Sequence, residues 1–323
     1  MTAAEPGSIG ELGEFALIAK VTEGLPAHAQ VLVGPGDDSA VVAAPGGSVV
    51  ISTDVLVEGR HFRRDWSTPV DIGRRAAAAS LSDIVAMGAR PTAAVVAFAG
   101  PADLPAAWAV SCTAGLRAEL EQLDVALVGG DVTSADAVMI TVTAIGDLDG
   151  RDPVLRSGAR AGDRIAIAGR IGWAAAGLAV LSRGFRSPKK LVDAHRYPTP
   201  PYSAGLLAAH SGATAMIDVS DGLIADARHI ARASAVVLAI DSSLIEVPQE
   251  LASAASAYSM DPREWMLTGG DDHALLATFP AQVKVPSSFV VIGQVQVIAE
   301  AGAGVTVDGH FVTGAGGHEH FRG

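Results

Sequence analysis

At 323 residues the chain exceeds what one hydrophobic core usually organises, so two domains are expected. A formal net charge of −12 excludes a protein that grips nucleic acid through a basic surface, and no apolar run is long enough to span a bilayer, so neither nucleic acid nor a membrane is an expected partner. The opening Met1-Thr2-Ala3-Ala4-Glu5-Pro6 lacks the positive start and apolar core of a signal peptide, and the single cysteine, Cys112, cannot close an internal disulfide; a cytoplasmic location is expected.

Gly13 to Lys20 carries apolar residues at helical spacing and reads as a short amphipathic helix. Residues 31–44 and 48–57 read as two Val-rich strands, the first bearing Asp37 and Asp38, the second delivering Ser52, Thr53 and Asp54 at its end. The spacing predicts a helix from Asp71 to Met87, capped by Asp71, rich in alanine and stopped by Gly88. Within it Leu81, Ile84 and Val85 form an apolar stripe, beside which Asp83, on position alone, reads as a solvated edge residue. A strand over 92–99, a helix over 103–123 with Cys112 as a buried, inert thiol, and strands over 125–129 and 138–146 follow. The polar Gly/Asp cluster 146–150 marks a boundary, giving domains 1–150 and 151–323. Beyond it come a glycine-containing turn from Arg156, a strand over 164–169 and a helix over 172–182. An exposed Pro-rich, basic connection is expected over 187–201, then strands at 214–218, 235–240, 274–279 and 289–296 and a helix over 224–234. The fold class is α/β (α+β).

Five apolar segments run into aspartates flanked by glycine or hydroxyl residues: Gly36-Asp37-Asp38, Ser52-Thr53-Asp54, Gly129-Gly130-Asp131, Asp218-Val219-Ser220-Asp221-Gly222, and Gly269-Gly270-Asp271-Asp272 after Trp265-Met266-Leu267. Any one is ordinary turn chemistry. Five together would repel one another unless cations neutralised them. Hard carboxylate and hydroxyl oxygens suit Mg²⁺, which is usually shared between a few carboxylates and substrate phosphates. There is no G-x-x-x-x-G-K-[ST] loop, no strand-bound G-x-G-x-x-G and no G-x-S-x-G elbow, so a nucleotide reading must rest on metals. His318-Glu319-His320 is the one run with zinc-like spacing and reads as a terminal segment, not a metal site.

Taken in order, Gly13-Glu14-Phe15, Gly36-Asp37-Asp38, Ser52-Thr53-Asp54, Gly59-Arg60-His61-Phe62, Leu81-Ser82-Asp83-Ile84-Val85-Ala86-Met87-Gly88-Ala89, Gly129-Gly130-Asp131, Arg156-Ser157-Gly158-Ala159, Asp218-Val219-Ser220-Asp221-Gly222 and Gly269-Gly270-Asp271-Asp272 resemble the thiamine-monophosphate kinase family, within the superfamily of aminoimidazole ribonucleotide synthetase and selenophosphate synthetase. The resemblance implies a two-domain fold of the aminoimidazole ribonucleotide synthetase type, with an N-terminal mixed sheet forming a barrel in a homodimer and a C-terminal α/β domain completing the active site. It implies ATP-dependent phosphorylation of thiamine monophosphate, with several Mg²⁺ ions and ATP as co-substrate, and leaves a K⁺ requirement open. Metal ligands then fall on Asp38, Ser52, Thr53, Asp54, Asp83, Asp131, Asp218 and Asp221, with Asp54, Asp83 and Asp131 central to catalysis. Nucleotide contacts fall on Gly130, Asp131, Arg156 and Ser220, and substrate contacts on His61, Asp271 and His318. Arg75 and Ser80 stand where the family usually has Lys and Asn, Asp271 where it has Glu, and His273 and His318 where it has aromatic residues. The alternatives are a carbonyl-activating synthetase on the same scaffold or a non-catalytic Mg-nucleotide-binding module.

Overall fold

The computed structural model describes residues 8–33, 40–298, 302–314 and 316–318. Asp37, Asp38, Glu319 and His320 lie outside the described residues. The chain divides into two compact units, Met1–Ile84 with Arg90–Arg151, and Val85–Ala89 with Asp152–Gly323.

In the first unit the short helices α1 (Ile9–Leu12) and α2 (Glu14–Thr22) precede an antiparallel pair, β1 (Val31–Val33) and β2 (Val41–Val42). Residues 31–44 are thus not one strand, because β1 and β2 run antiparallel to each other. Then come β3 (Val49–Val57), α3 (Pro69–Ala86), β4 (Arg90–Gly100), α4 (Ala106–Glu121), β5 (Ala126–Ser134) and β6 (Met139–Asp147). The four long strands form a mixed sheet in the order β3-β6-β4-β5, antiparallel except for the parallel β4–β5 pair.

β3 matches the strand read over 48–57, with Ser52, Thr53 and Asp54 within it and not at its end. β5 runs past the expected 129, through Gly129-Gly130-Asp131 to Ser134. The aspartates therefore sit inside strands, where alternation and not turn geometry decides which way they point. The helix α3 also starts earlier than expected, because Thr68 is its cap: the Thr68 N–H donates to the Asp71 carboxylate at 2.9 Å and the Asp71 N–H to the Thr68 hydroxyl at 3.2 Å. Asp71, the third residue of the helix, closes this reciprocal capping box, and Pro69 opens the helix where its missing N–H costs nothing. Cys112 is buried in α4, and burial pushes its thiol up to about 12, consistent with an inert side chain.

The second unit follows a 3₁₀ turn at Arg156–Gly158 with β7 (Arg164–Ala168), α5 (Trp173–Ser182), α6 (Lys189–Arg196), α7 (Tyr202–His210), β8 (Ala215–Val219), α8 (Leu223–Ser234) and β9 (Val237–Ile240). It closes with α9 (Gln249–Ala257), α10 (Pro262–Thr268), β10 (Ala274–Phe279), β11 (Val290–Gln296), β12 (Gly304–Val307) and β13 (His310–Phe311). Its sheet runs β13-β12-β9-β11-β7-β10-β8, with β8 and β10 buried along their whole length. The expected exposed connection 187–201 instead contains α6, whose Leu191, Val192, Ala194 and His195 are buried while its lysines face water. Trp265-Met266-Leu267 is likewise helical, because Asp261 accepts from the Arg263 N–H at 2.9 Å and Pro262 fits the first turn. Among the described residues no helix is long and apolar enough to cross a membrane.

Candidate active site

In the first unit, alternation along β3 turns Ser52 and Asp54 to the half-buried face that meets α3. There the Ser52 hydroxyl donates to Asp83 Oδ2 at 2.5 Å, and the Ser80 hydroxyl lies 2.9 Å from both Asp54 Oδ2 and the Val142 carbonyl. Asp83 is thus not a solvated edge residue; it faces β3, half-buried. Thr53 points the other way, with its hydroxyl 2.9 Å from that of Thr143, so it is not brought to Ser52 and Asp83. The register sets Asp131 level with Ala97 and Thr141, on the face opposite Asp54, where it is exposed. Beyond β3 the chain turns at Gly59, and the Val57 N–H donates to His61 Nδ1 at 2.9 Å, which fixes a neutral ring as the Nε2–H tautomer.

In the second unit Asp218 is buried near the end of β8, and Ser220 and Asp221 form the turn into α8. The Asp221 and Gly222 N–H groups donate to Asp226 Oδ2 at 3.0 and 3.1 Å, satisfying donors at the start of α8 from within the helix. Burial pushes Asp226 up to about 7, with the neighbouring Asp218 and Asp221 charges adding to the effect. Ligating atoms of Asp221, Asp226 and His229 lie within 4.8 Å of one another. Burial lowers His229, and the Arg156 charge lowers it further. The terminal segment returns to this turn: the His318 N–H donates to the Asp221 carbonyl at 3.0 Å, although the His318 side chain is exposed.

The turn at 269–273 lies backbone to backbone against the turn after β8. A Cβ on Gly270 would meet the Ser220 carbonyl at 2.1 Å, while the Asp271 and His273 N–H groups donate to the Ser220 and Val219 carbonyls at 2.8 and 3.0 Å. Asp271 and His273 both adopt positive φ, +66° and +52°. The buried Asp272 between them takes both leading N–H groups of α5, Trp173 at 2.9 Å and Ala174 at 3.0 Å, one on each carboxyl oxygen. Burial nonetheless pushes its carboxyl up from 3.8 to about 7. Because the folded value lies above the unfolded one, this group's contribution to stability falls as pH rises from about 4 to about 7. Asp272→Asn should lose that pH-dependent component and, by setting an amide NH₂ against one of the two donors, cost about 1–3 kcal/mol. Thermal melts across this range test both; an unchanged slope and stability would show that the cap is idle.

The sequence reading names Asp54, Asp83, Asp131, Asp218, Asp221 and Asp271 as candidates, but not the hydrogen-bonded groups around them. Ser80 lies 26 residues from its partner Asp54, and Asp272 lies 99 from Trp173, separations that only the fold can close. Asp226 left a trace, since a carboxylate in the first turn of the helix after Asp221-Gly222 is placed to accept from the turn's own N–H groups.

The chain is similar to known proteins over nearly its whole length. The family models for AIR synthase related protein match residues 36–148 as the N-terminal domain and 160–309 as the C-terminal domain. Thiamine-monophosphate kinase from Mycobacterium tuberculosis is 47% identical over 320 residues, covering 99% of this chain and 95% of the relative. The Corynebacterium glutamicum enzyme of the same name is 43% identical over 296 residues, covering 89% and 87%. A solved structure described as AaThiL complexed with AMPPCP and TMP matches at a TM-score of 0.79 and 32% identity, covering 96% of this chain and 98% of that one. With motif order, both domain matches and near-full-length identity in agreement, the chain belongs to the thiamine-monophosphate kinase family of AIR synthase related proteins.

Proposed function

We propose that the chain transfers the γ-phosphoryl group of ATP to thiamine monophosphate, giving thiamine diphosphate. The observation that carries this reading is 47% identity across 99% of the chain to a thiamine-monophosphate kinase. The solved relative described with AMPPCP and TMP supports the nucleotide and acceptor pair. Residues 1–150 form the metal-binding, nucleotide-binding and dimerisation domain in this proposal, and 151–323 the second α/β domain of a cytoplasmic enzyme. Formation of thiamine diphosphate from thiamine monophosphate and Mg·ATP tests it; no product under conditions in which Mg·ATP binds would leave a nucleotide-binding module.

The donors fit Mg²⁺. Ser52 and Asp83, Asp54 beside Ser80, and Asp218 and Asp221 near Asp226 are hard oxygen groups already held by the fold. Asp54, Asp83, Asp131, Asp218 and Asp221 would hold the ions, joined by Ser52. Bound Mg²⁺ would screen the repulsion between two anionic phosphates and polarise the transferring group. Arg156, exposed at its 3₁₀ turn, offers a planar cation for nucleotide phosphate oxygens, with Ser220 and Gly130 as the further nucleotide contacts of this proposal; at Gly130 the missing Cβ makes room for the Val96 carbonyl of β4. The acceptor is a phosphate monoester, already anionic at neutral pH, so no side chain has to deprotonate it. Transfer is then direct and in line, and a competent phosphorylated enzyme intermediate would refute it.

His61 is assigned to the acceptor. Its Nδ1 is engaged by the Val57 N–H, so the ring presents an Nε2–H donor suited to a phosphate oxygen. His61→Ala should raise the KM for thiamine monophosphate about tenfold with little change in the Kd for Mg·ATP; equal weakening of both ligands would remove the assignment.

A second copy of the chain is the proposed partner of the first unit's sheet. β3 is an edge strand of nine residues whose outward face carries Val49, Ile51 and Val55, all exposed, with Met139 exposed on β6. An uncovered edge strand with an apolar face is a template for association. Light scattering should return twice the chain mass, and Ile51→Asp should return one; a wild-type monomer at micromolar concentration overturns the homodimer.

A further inference from the structure

His273 Nδ1 lies 2.9 Å from Asp218 Oδ2, and both side chains are buried, 9% and 5% exposed. The two residues belong to different parts of the second unit. Asp218 lies on β8 and His273 directly precedes β10, in the turn that also carries Asp271 and Asp272. His273 is held there in the left-handed region at φ +52°, its N–H bound to the Val219 carbonyl at 3.0 Å. The ring has a fixed backbone and a fixed neighbour, and it meets the carboxylate expected to hold a cation.

We infer that His273 is a positioning residue for Asp218: by donating from Nδ1 to Oδ2 it sets the orientation in which the Asp218 carboxylate holds a divalent cation, and ties that orientation to the turn presenting Asp271. The inference rests on the proposed function for the metal role of Asp218. A carboxylate on β8 with no donor could rotate about its Cβ–Cγ bond. Hydrogen bonding to one oxygen fixes the plane in which the carboxylate can meet the ion, which is how outer partners tune metal ligands. The same contact makes the 269–273 turn sensitive to occupancy at Asp218, because His273 and Asp271 are separated by only one residue, and that residue is clamped by the start of α5.

The chemistry of the position supplies its own control. Asparagine carries its amide nitrogen on Cγ, as histidine carries Nδ1, and asparagine tolerates positive φ. Phenylalanine fills the volume of the ring without a donor. The test is Mn²⁺ binding to the full chain without nucleotide, by calorimetry and by electron paramagnetic resonance, with Asp218→Asn identifying the component that depends on Asp218. His273→Phe should weaken that component about 10-fold or more, and His273→Asn should restore it to within about 3-fold of wild type. The metal-free melting temperatures of the Asn variant and wild type should agree. Equal Mn²⁺ affinity in His273→Phe and wild type would overturn the inference, and so would an Asn variant as weak as the Phe one. If His273→Phe does not fold, His273→Gln takes its place, since its donor stands one bond further out; wild-type affinity in that variant overturns the inference. Failure of the underlying reading looks different: Asp218→Asn would then remove no Mn²⁺ component at all.

Discussion

Asp131→Asn should lower turnover by roughly 100-fold, a loss of about 2.7 kcal/mol in the transition state, while leaving the metal-free protein as stable as wild type. As turn chemistry, Gly130-Asp131 would simply end a strand. The structure removes that account, because Asp131 lies inside β5, paired with Ala97, three residues before the strand ends at Ser134. Aspartate is a poor strand former, so the fold gains nothing from it there. The side chain is exposed and, among the described residues, makes no hydrogen bond or ion pair that folding would miss. Replacing it by its neutral isostere should therefore change stability by no more than about 0.5 kcal/mol. A ligand role predicts the opposite imbalance: charge is removed where the reaction needs it most and nowhere else. The measurement is steady-state turnover across Mg²⁺ concentrations beside a metal-free melt. Near-normal turnover with normal Mg²⁺ dependence would end the metal assignment for Asp131, and a lowered melting temperature of equal weight would make it structural.

How far the site could be read from sequence depended on where each partner sits. The aspartates were legible because glycine or hydroxyl residues flank them in a fixed order, and that local signal survives without knowledge of the fold. Their directions were not. Grouping Ser52, Thr53 and Asp54 as ligands leaves all three available together, whereas alternation along β3 sends Ser52 and Asp54 to α3 and Thr53 to Thr143. Asp83 was misread from the helix alone for the same reason: its partner Ser52 lies 31 residues away on a strand. The helix at 189–196 was hidden by Ser187-Pro188 and two lysines, a composition that suits a loop as well as a helix start. Burial of Leu191, Val192, Ala194 and His195 decides for the helix, and burial is a tertiary quantity. Mixed strand and helix content and the Val-rich strand at 48–57 were local, and these carried over to the structure.

Gly73→Ala should destabilise the first unit by about 3 kcal/mol or more, the upper end of what overpacking costs, and lower its melting temperature by about 2–4 °C for each kcal/mol. At an open helical position the same change would stabilise, since alanine is favoured over glycine by about 1 kcal/mol in a helix interior, so even the sign of the result is informative. Gly73 is not open. A Cβ built there would lie 1.8 Å from the Cys112 carbonyl oxygen and 2.7 Å from the Leu116 nitrogen, both backbone atoms of α4 that no rotamer change can move. Gly115 answers from the other helix, where a Cβ would lie 2.1 Å from the Val70 carbonyl oxygen. The two glycines let α3 and α4 touch backbone to backbone, and Arg74 to Glu119 at 3.0 Å, with Glu119 buried, fixes the same crossing. Adding a methyl must push the helices apart, which strains that ion pair and loosens the buried run Ala76 to Ala79. α3 also carries Ser80 and Asp83, so the displacement reaches the hydrogen bonds to Asp54 and Ser52, and activity should fall with stability. Gly115→Ala should behave alike. The check is chemical denaturation of both variants together with their turnover. A melting temperature within about 2 °C of wild type for either would show that the crossing yields more easily than its backbone contacts allow, and retained turnover in a clearly destabilised variant would show that α3 need not hold Asp83 in register.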